Sequence, residues 1–239
     1  GTTGRWGSEL VFGEPVLVFE RNEAKGTAWC QHETDGYVGH LPLTALAPIA
    51  DMPAPTHRVW AIQAPLFPEP DLKTPTIGWR SFGSLVTLTG AEKNRFVETA
   101  ADGWIYSRHV KPLDTQEANY IATATRFMEQ PYIWGGRCGR GLDCSALVQF
   151  ALMVAGVADC PRDTDQQKAS LGQPLPPDAP RKAGDLAFFP GHIGIMLDDQ
   201  RMLHANATHM AVTVDGVDEV AAWTLASDGA GITGINRLG

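Results

Sequence analysis

Through the first part of the chain, apolar positions come in short runs separated by glycine and proline. Glu9-Leu10-Val11-Phe12 and Val16-Leu17-Val18-Phe19 read as strands broken by Gly13 and Pro15. Ala28-Trp29-Cys30-Gln31 and Gly36-Tyr37-Val38-Gly39 are two more candidates, and Pro48, Pro53 and Pro55 then mark a linker. Residues 56–113 repeat the plan. Gly83-Ser84-Leu85-Val86-Thr87-Leu88 answers Gly13 to Val18, Arg95-Phe96-Val97-Glu98 answers Trp29 to His32, and Asp102-Gly103-Trp104-Ile105 answers Asp35 to Val38. A repeat of about 65 residues built of short strands predicts two small β-barrels, with a single β-sandwich as the plainer alternative. The first copy is short at its N-terminus, which leaves it a strand missing or completed from elsewhere.

From residue 116 the periodicity changes. Glu117 to Glu129 has helical spacing, with Ile121, Ala124, Thr125 and Met128 on one face. A glycine-rich loop follows, and then Ala146, Leu147, Phe150, Ala151 and Val154 recur at helical intervals, predicting a helix from about 143 to 156 with Asp143 as its N-cap. Pro174, Pro176, Pro177 and Pro180 fill a loop before Leu186-Ala187-Phe188-Phe189, His192-Ile193-Gly194-Ile195-Met196-Leu197 and Met202-Leu203-His204-Ala205, the last two a hairpin turned at Asp198. The chain is therefore predicted to be α+β, with small barrels at 1–50 and 51–115 and a helix-and-sheet domain at 116–239.

Composition removes some functions. A net charge of −8 argues against a nucleic-acid partner. No apolar run is long enough to span a membrane. Cys30, Cys138, Cys144 and Cys160 contain no CxxC pair, so neither a structural zinc site nor a disulfide framework is expected, although Cys138 and Cys160 could pair. No signal peptide is visible, which points to the cytoplasm; the chain begins at Gly1 rather than Met, so a periplasmic or secreted location stays open. A monomer without metal or cofactor is expected.

The chemistry gathers around Cys144. In the first turn of a helix its thiol would meet the positive end of the dipole and unpaired N–H groups, which favour the thiolate. Strand alternation sets His192 on the face opposite Ile193 and Ile195, and a hairpin near Asp198 brings His204 alongside it. That arrangement makes Cys144 a nucleophile, His192 its general base and His204 the group that orients His192. Each has a plainer reading, as a small buried cysteine or as satisfied strand-end histidines, the reading given to His57, His109 and His209.

Residues 120–206 resemble the NlpC/P60 family of cell-wall peptidases through Pro131-Tyr132-Ile133-Trp134-Gly135-Gly136, Leu142-Asp143-Cys144-Ser145, Gly184-Asp185-Leu186-Ala187-Phe188-Phe189, His192-Ile193-Gly194-Ile195 and His204-Ala205. The upstream repeats resemble bacterial SH3 (SH3b) domains. Together they are most similar to the γ-D-glutamyl-L-diamino-acid endopeptidases that process murein peptides. The resemblance implies a papain-like catalytic domain behind two SH3-like barrels, and a triad of Cys144, His192 and His204. It implies that Tyr132 lies near the oxyanion position, and that Trp134, Asp143, Ser145, Asp163 and Thr164 line the peptide site. It implies too that the first SH3b domain closes one end of the groove, with Glu14 and Tyr37 binding the free amine of an N-terminal L-alanine. A core or solvated-turn role is the plainer reading of Tyr132, of Asp163 and Thr164 in Arg162 to Gln167, and of Glu14 and Tyr37. A cell-wall-binding protein with an idle site, or a papain-like amidase or acyltransferase, are the rival functions.

Overall fold

The computed structural model describes residues 6–157 and 159–239. The chain divides into two compact units, one spanning 7–115 and the other taking in 116–239.

In the first unit β1 (Val16–Asn22), β2 (Thr27–His32) and β3 (Val38–Pro42) form an antiparallel meander. The second copy begins with β4 (His57–Val59), β5 (Gln63–Phe67), β6 (Gly78–Ser81) and β7 (Leu85–Val86). It continues with β8 (Leu88–Lys93), β9 (Phe96–Thr99), β10 (Trp104–Tyr106) and β11 (Val110–Pro112). These form a five-stranded sheet ordered β6-β5-β10-β9-β8 and a three-stranded sheet ordered β11-β4-β7. Val59, Ala64, Leu66, Val86, Ile105 and Val110 make their shared core.

The repeat is visible in detail. β1–β2 and β8–β9 both carry a register irregularity, and β3 and β10 both run into a single 3₁₀ turn, Leu43–Ala45 and Ser107–His109. The copies differ in what surrounds the meander. Among the described residues the first copy has these three strands alone, and β1 is largely exposed.

Two strand expectations change here. Glu9 to Phe12 is not a strand. Instead Leu85 N–H donates to Phe12 O at 2.8 Å, Phe12 packs on the core of the second copy, and the Arg80 guanidinium lies 3.9 Å from its ring centroid. Phe12 thus packs against the neighbouring copy instead of joining a strand of its own. The strand placed at Gly36–Gly39 starts at Val38, because Asp35 and Gly36 form the turn, with Gly36 N–H donating to His32 O at 3.0 Å.

The second unit contains α1 (Tyr120–Thr125), the short hairpin β12 (Arg137–Cys138) and β13 (Gly141–Leu142), α2 (Cys144–Val154) and α3 (Thr164–Ser170). β14 (Gln173–Pro174), β15 (Leu186–Phe189), β16 (His192–Met196), β17 (Arg201–Asn206), β18 (Ala211–Gly216), α4 (Val217–Asp228) and β19 (Gly234–Arg237) complete it. The sheet is ordered β14-β19-β15-β16-β17-β18, antiparallel throughout. Helix α2 packs on β16, β17 and α1, with Phe127 stacked on Phe150. Ala187, Phe189, Met196 and Met202 form a second cluster with Val217 and Val220 of α4.

The α+β expectation holds. α1 is shorter than the 117–129 periodicity suggested: Asn119 caps it by accepting Ala122 N–H at 3.0 Å, and Glu129 takes a φ of 66°. Cys30, Cys138, Cys144 and Cys160 form no disulfide in this structure. No helix among the described residues is long and apolar enough to cross a membrane.

Candidate active site

Cys144 opens α2 because the chain must turn sharply before it. Asp143 is extended at φ −96° and ψ 179°, and its Oδ1 accepts the N–H of Ala146 at 2.9 Å, the N-cap bond expected from sequence. The glycine loop ahead of it is tight: a Cβ on Gly136 would lie 2.8 Å from Gly141 O and 2.9 Å from Ile133 O. Gly135 N–H also donates to Asp143 Oδ2 at 3.0 Å.

Both Asp143 oxygens are held further by Arg162, which donates at 3.0 and 2.6 Å and reaches Ser145 Oγ at 2.6 Å. Arg162 is only 2 % exposed, so the solvated-helix reading of Arg162 to Gln167 does not hold for it. A planar guanidinium matches a carboxylate through paired bonds, and here it ties the start of α2 to the segment before α3. Gln167 donates to Ser145 O at 3.1 Å and to Pro161 O at 2.8 Å, extending the same clamp.

Cys144 is 6 % exposed, and its sulfur receives N–H groups from Ile193 and Ser145, which brings it to the His192 end of β16. Burial, with the Asp143 carboxylate adding to it, pushes the thiol up to about 12 against the opposing pull of those N–H groups and Arg162. Burial therefore opposes the thiolate that the helix-start position favours. Burial, with His204 beside it, brings His192 down to about 3. Burial thus works against charge on both the thiol and the imidazole.

His192 Nε2 lies 2.7 Å from His204 Nδ1. The close approach depends on Gly194: a Cβ there would meet Met202 Cε at 2.0 Å and His204 Cβ at 3.1 Å. His204, 1 % exposed, reaches Asp215 Oδ2 through Nε2 at 2.9 Å. Asp215 went unmarked in the sequence. The register pairs His204 with Thr213, which puts Thr213 and Asp215 on the His204 face of β18. Asp215 also accepts Thr213 Oγ1–H at 2.5 Å and lies 3.3 Å from His209 Nε2, so His209 is not a bystander. Partial burial raises the Asp215 carboxyl, but the bonds from Thr213 and His204 outweigh it and hold it below the usual range.

The remaining sequence candidates fall into three groups. Tyr132 is half-buried with its phenol pKa raised by burial and then by Cys144 and Asp143, an electrostatic coupling that puts it near the thiol. Asp143 and Ser145 are buried in the Arg162 clamp, whereas Trp134 is 65 % exposed, Asp163 is exposed at the N-cap position of α3 and Thr164 is half-buried. Glu14 and Tyr37 belong to the first unit, where His32 links them. Glu14 Oε1 is 3.6 Å from His32 Nε2, His32 Nδ1 is 2.7 Å from Asp35 Oδ1, and that oxygen accepts Tyr37 N–H at 3.0 Å. Among the described residues, no group of three or more His, Cys, Asp or Glu is arranged to hold a metal ion.

Residues 129–225 match the NlpC/P60 family, and residues 4–46 match the bacterial dipeptidyl-peptidase SH3 domain. Among curated relatives, dipeptidyl-peptidase 6 of Lysinibacillus sphaericus is 35 % identical over 101 residues, 42 % of this chain and 36 % of that protein. The γ-D-glutamyl-L-lysine dipeptidyl-peptidase of Bacillus subtilis is 31 % identical over 148 residues, 56 % of this chain and 49 % of that protein. The chain thus spans half or less of the length of these relatives. A solved NlpC/P60 family protein from Bacillus cereus shares the fold, with a TM-score of 0.76 and 21 % identity over 97 % of this chain and 81 % of that one. This chain carries an NlpC/P60 domain preceded by a bacterial SH3 domain of the dipeptidyl-peptidase type.

Proposed function

We propose that this protein is a cysteine peptidase that hydrolyses the γ-D-glutamyl–L-diamino-acid bond of murein peptides bearing a free N-terminal L-alanine. The observation that carries the reading is a cysteine at a capped helix start, meeting the strand of a histidine that is itself hydrogen-bonded to a second. The name of the Bacillus subtilis relative supports the choice of bond.

In this reading His192 takes the Cys144 proton as the sulfur attacks the γ-carbonyl. The Tyr132 hydroxyl, kept protonated by burial, donates to the developing oxyanion. His192 then passes its proton to the leaving amine of the diamino acid, and water frees the acyl group from sulfur. We assign the preference for a free L-alanine amine to Glu14 and Tyr37, since a carboxylate is the natural partner of an ammonium. The role is turnover of released peptides, and a cytoplasmic location goes with it.

The test sets turnover against retention. Wild type and Cys144→Ala are incubated with free murein tripeptide and with intact sacculi, and products and bound protein are measured. Rapid cleavage of the tripeptide by wild type alone supports the reading. Retention on sacculi without turnover would instead favour a wall-binding protein.

A further inference from the structure

We propose that Asp215 is a positioning residue that fixes the proton arrangement of both histidines, so that His192 presents a bare nitrogen to the Cys144 thiol. The proposal rests on the cysteine-peptidase reading above.

A proton count along the chain of contacts carries it. An ionised carboxylate can only accept, so at 2.9 Å from Asp215 Oδ2 the Nε2 of His204 must bear hydrogen. In a neutral imidazole the other nitrogen is then bare, so His204 Nδ1 accepts. The nitrogen 2.7 Å away, His192 Nε2, must therefore be the donor. His192 Nδ1 is left with a lone pair, which is what a general base requires. When the S–H bond breaks, the proton joins Nδ1, and the His192 imidazolium keeps its Nε2–H bond to His204. No proton need move to Asp215; its charge sits at the far end of the array and favours the cation.

If His204 instead carried its hydrogen on Nδ1, His192 Nε2 would have to accept. Its Nδ1, the nitrogen not engaged with His204, would then carry the hydrogen and could not take the thiol proton. Neither histidine alone chooses between these arrangements.

The surroundings of Asp215 agree with a fixed acceptor. Thr213 donates its hydroxyl to Oδ2 at 2.5 Å and receives Asn206 Nδ2–H at 2.8 Å, which leaves Thr213 no choice of direction. Asn206 Nδ2 also lies 3.3 Å from His204 Nε2, a donor facing a donor in this arrangement, so it does not compete for that nitrogen. The other groups that bear on the array are His209, 3.3 Å from Asp215 Oδ1, and Asp143, Arg162 and Tyr132 around the thiol.

Two readouts on the full chain that need no peptide substrate test this, and peptide kinetics add a third. Two-bond ¹H–¹⁵N spectra report histidine tautomers, and wild type should show both His192 and His204 protonated on Nε2. The rate of Cys144 alkylation by iodoacetamide across pH reports the base. In Asp215→Asn, whose amide can turn either nitrogen or oxygen toward His204, the single tautomer should be lost. Alkylation near pH 7, and kcat with it, should fall about 10²-fold with a displaced pH profile and little change in KM. Asp215→Glu should restore part of the rate. A wild-type spectrum with His204 protonated on Nδ1 overturns the proposal whether or not the variants fold, and so does an Asp215→Asn protein with unaltered tautomers and alkylation profile. If His192→Ala leaves wild-type alkylation unchanged, the peptidase reading falls and the proposal with it, an outcome distinct from failure at Asp215 alone.

Discussion

The residues of the proposed site differ in how they could be seen. Cys144, His192 and His204 were legible because their signals are local: a cap followed by helical spacing, and two strands joined at Asp198. Asp215 and Arg162 were not, because each takes its meaning from a distant partner. Asp215 reaches His204 through the register of β17 against β18, for which the alternation Ala211-Val212-Thr213-Val214 was the available clue. Arg162, in Pro161-Arg162-Asp163-Thr164, looks like a solvated charge until Asp143 is beside it. Removing Arg162 strands a mostly buried carboxylate, and Arg162→Met should cost about 3–5 kcal/mol in denaturant unfolding, with Asp143→Asn recovering part of it. His192 gives a pH signature. Its folded pKa of about 3 lies below the ordinary histidine value of about 6.5, so its contribution to stability is complete above about 6.5 and lost as the pH falls toward 3. Between pH 6.5 and 5 one such proton amounts to at most about 2 kcal/mol. His192→Gln should lose correspondingly less stability than wild type over that interval; equal losses in urea unfolding at the two pH values would contradict the assignment.

Elements were legible where pattern and packing agree. α2 begins within a residue of its expected start because its cap and its apolar face both point there. β18, α4 and β19 went unread, their spans mixing apolar and polar positions without a decisive period, and α4 ends at Gly229 in the left-handed region. Glu9 to Phe12 had the composition of a strand, but it meets β7 through the bond from Leu85 N–H to Phe12 O rather than through a ladder, and Phe12 packs on the core of the second copy. On β16 the fit of two strands depends on Gly194. In Gly194→Ala the flexible Met202 end can move, whereas His204 Cβ at 3.1 Å must be displaced. The expected stability loss is about 1–3 kcal/mol, with kcat falling more than global stability explains because the His192–His204 contact opens. Wild-type kcat in a folded Gly194→Ala protein would show that the contact tolerates such displacement.

At the scale of the whole chain, the internal repeat survives as the recurring meander, its irregular strand pair and its 3₁₀ turn, while among the described residues the second copy alone adds the strands that enclose a core. The repeat was legible because turns recur at fixed spacing; the unequal elaboration was not, because it depends on which strands find partners. The specificity assigned to Glu14 and Tyr37 belongs to this scale. Glu14→Gln should lower kcat/KM for L-Ala-γ-D-Glu-diaminopimelate while leaving the slower N-acetylated peptide little changed, and an unaltered ratio would remove that role. The central claim, that Cys144 cleaves the γ-D-glutamyl bond, is met most directly by mass spectrometry of the free tripeptide after reaction in H₂¹⁸O. The account predicts free diaminopimelate and L-Ala-D-Glu carrying one ¹⁸O in its γ-carboxylate, with neither product from Cys144→Ala. Cleavage between alanine and glutamate, label in the other product, or undiminished turnover by Cys144→Ala would contradict it.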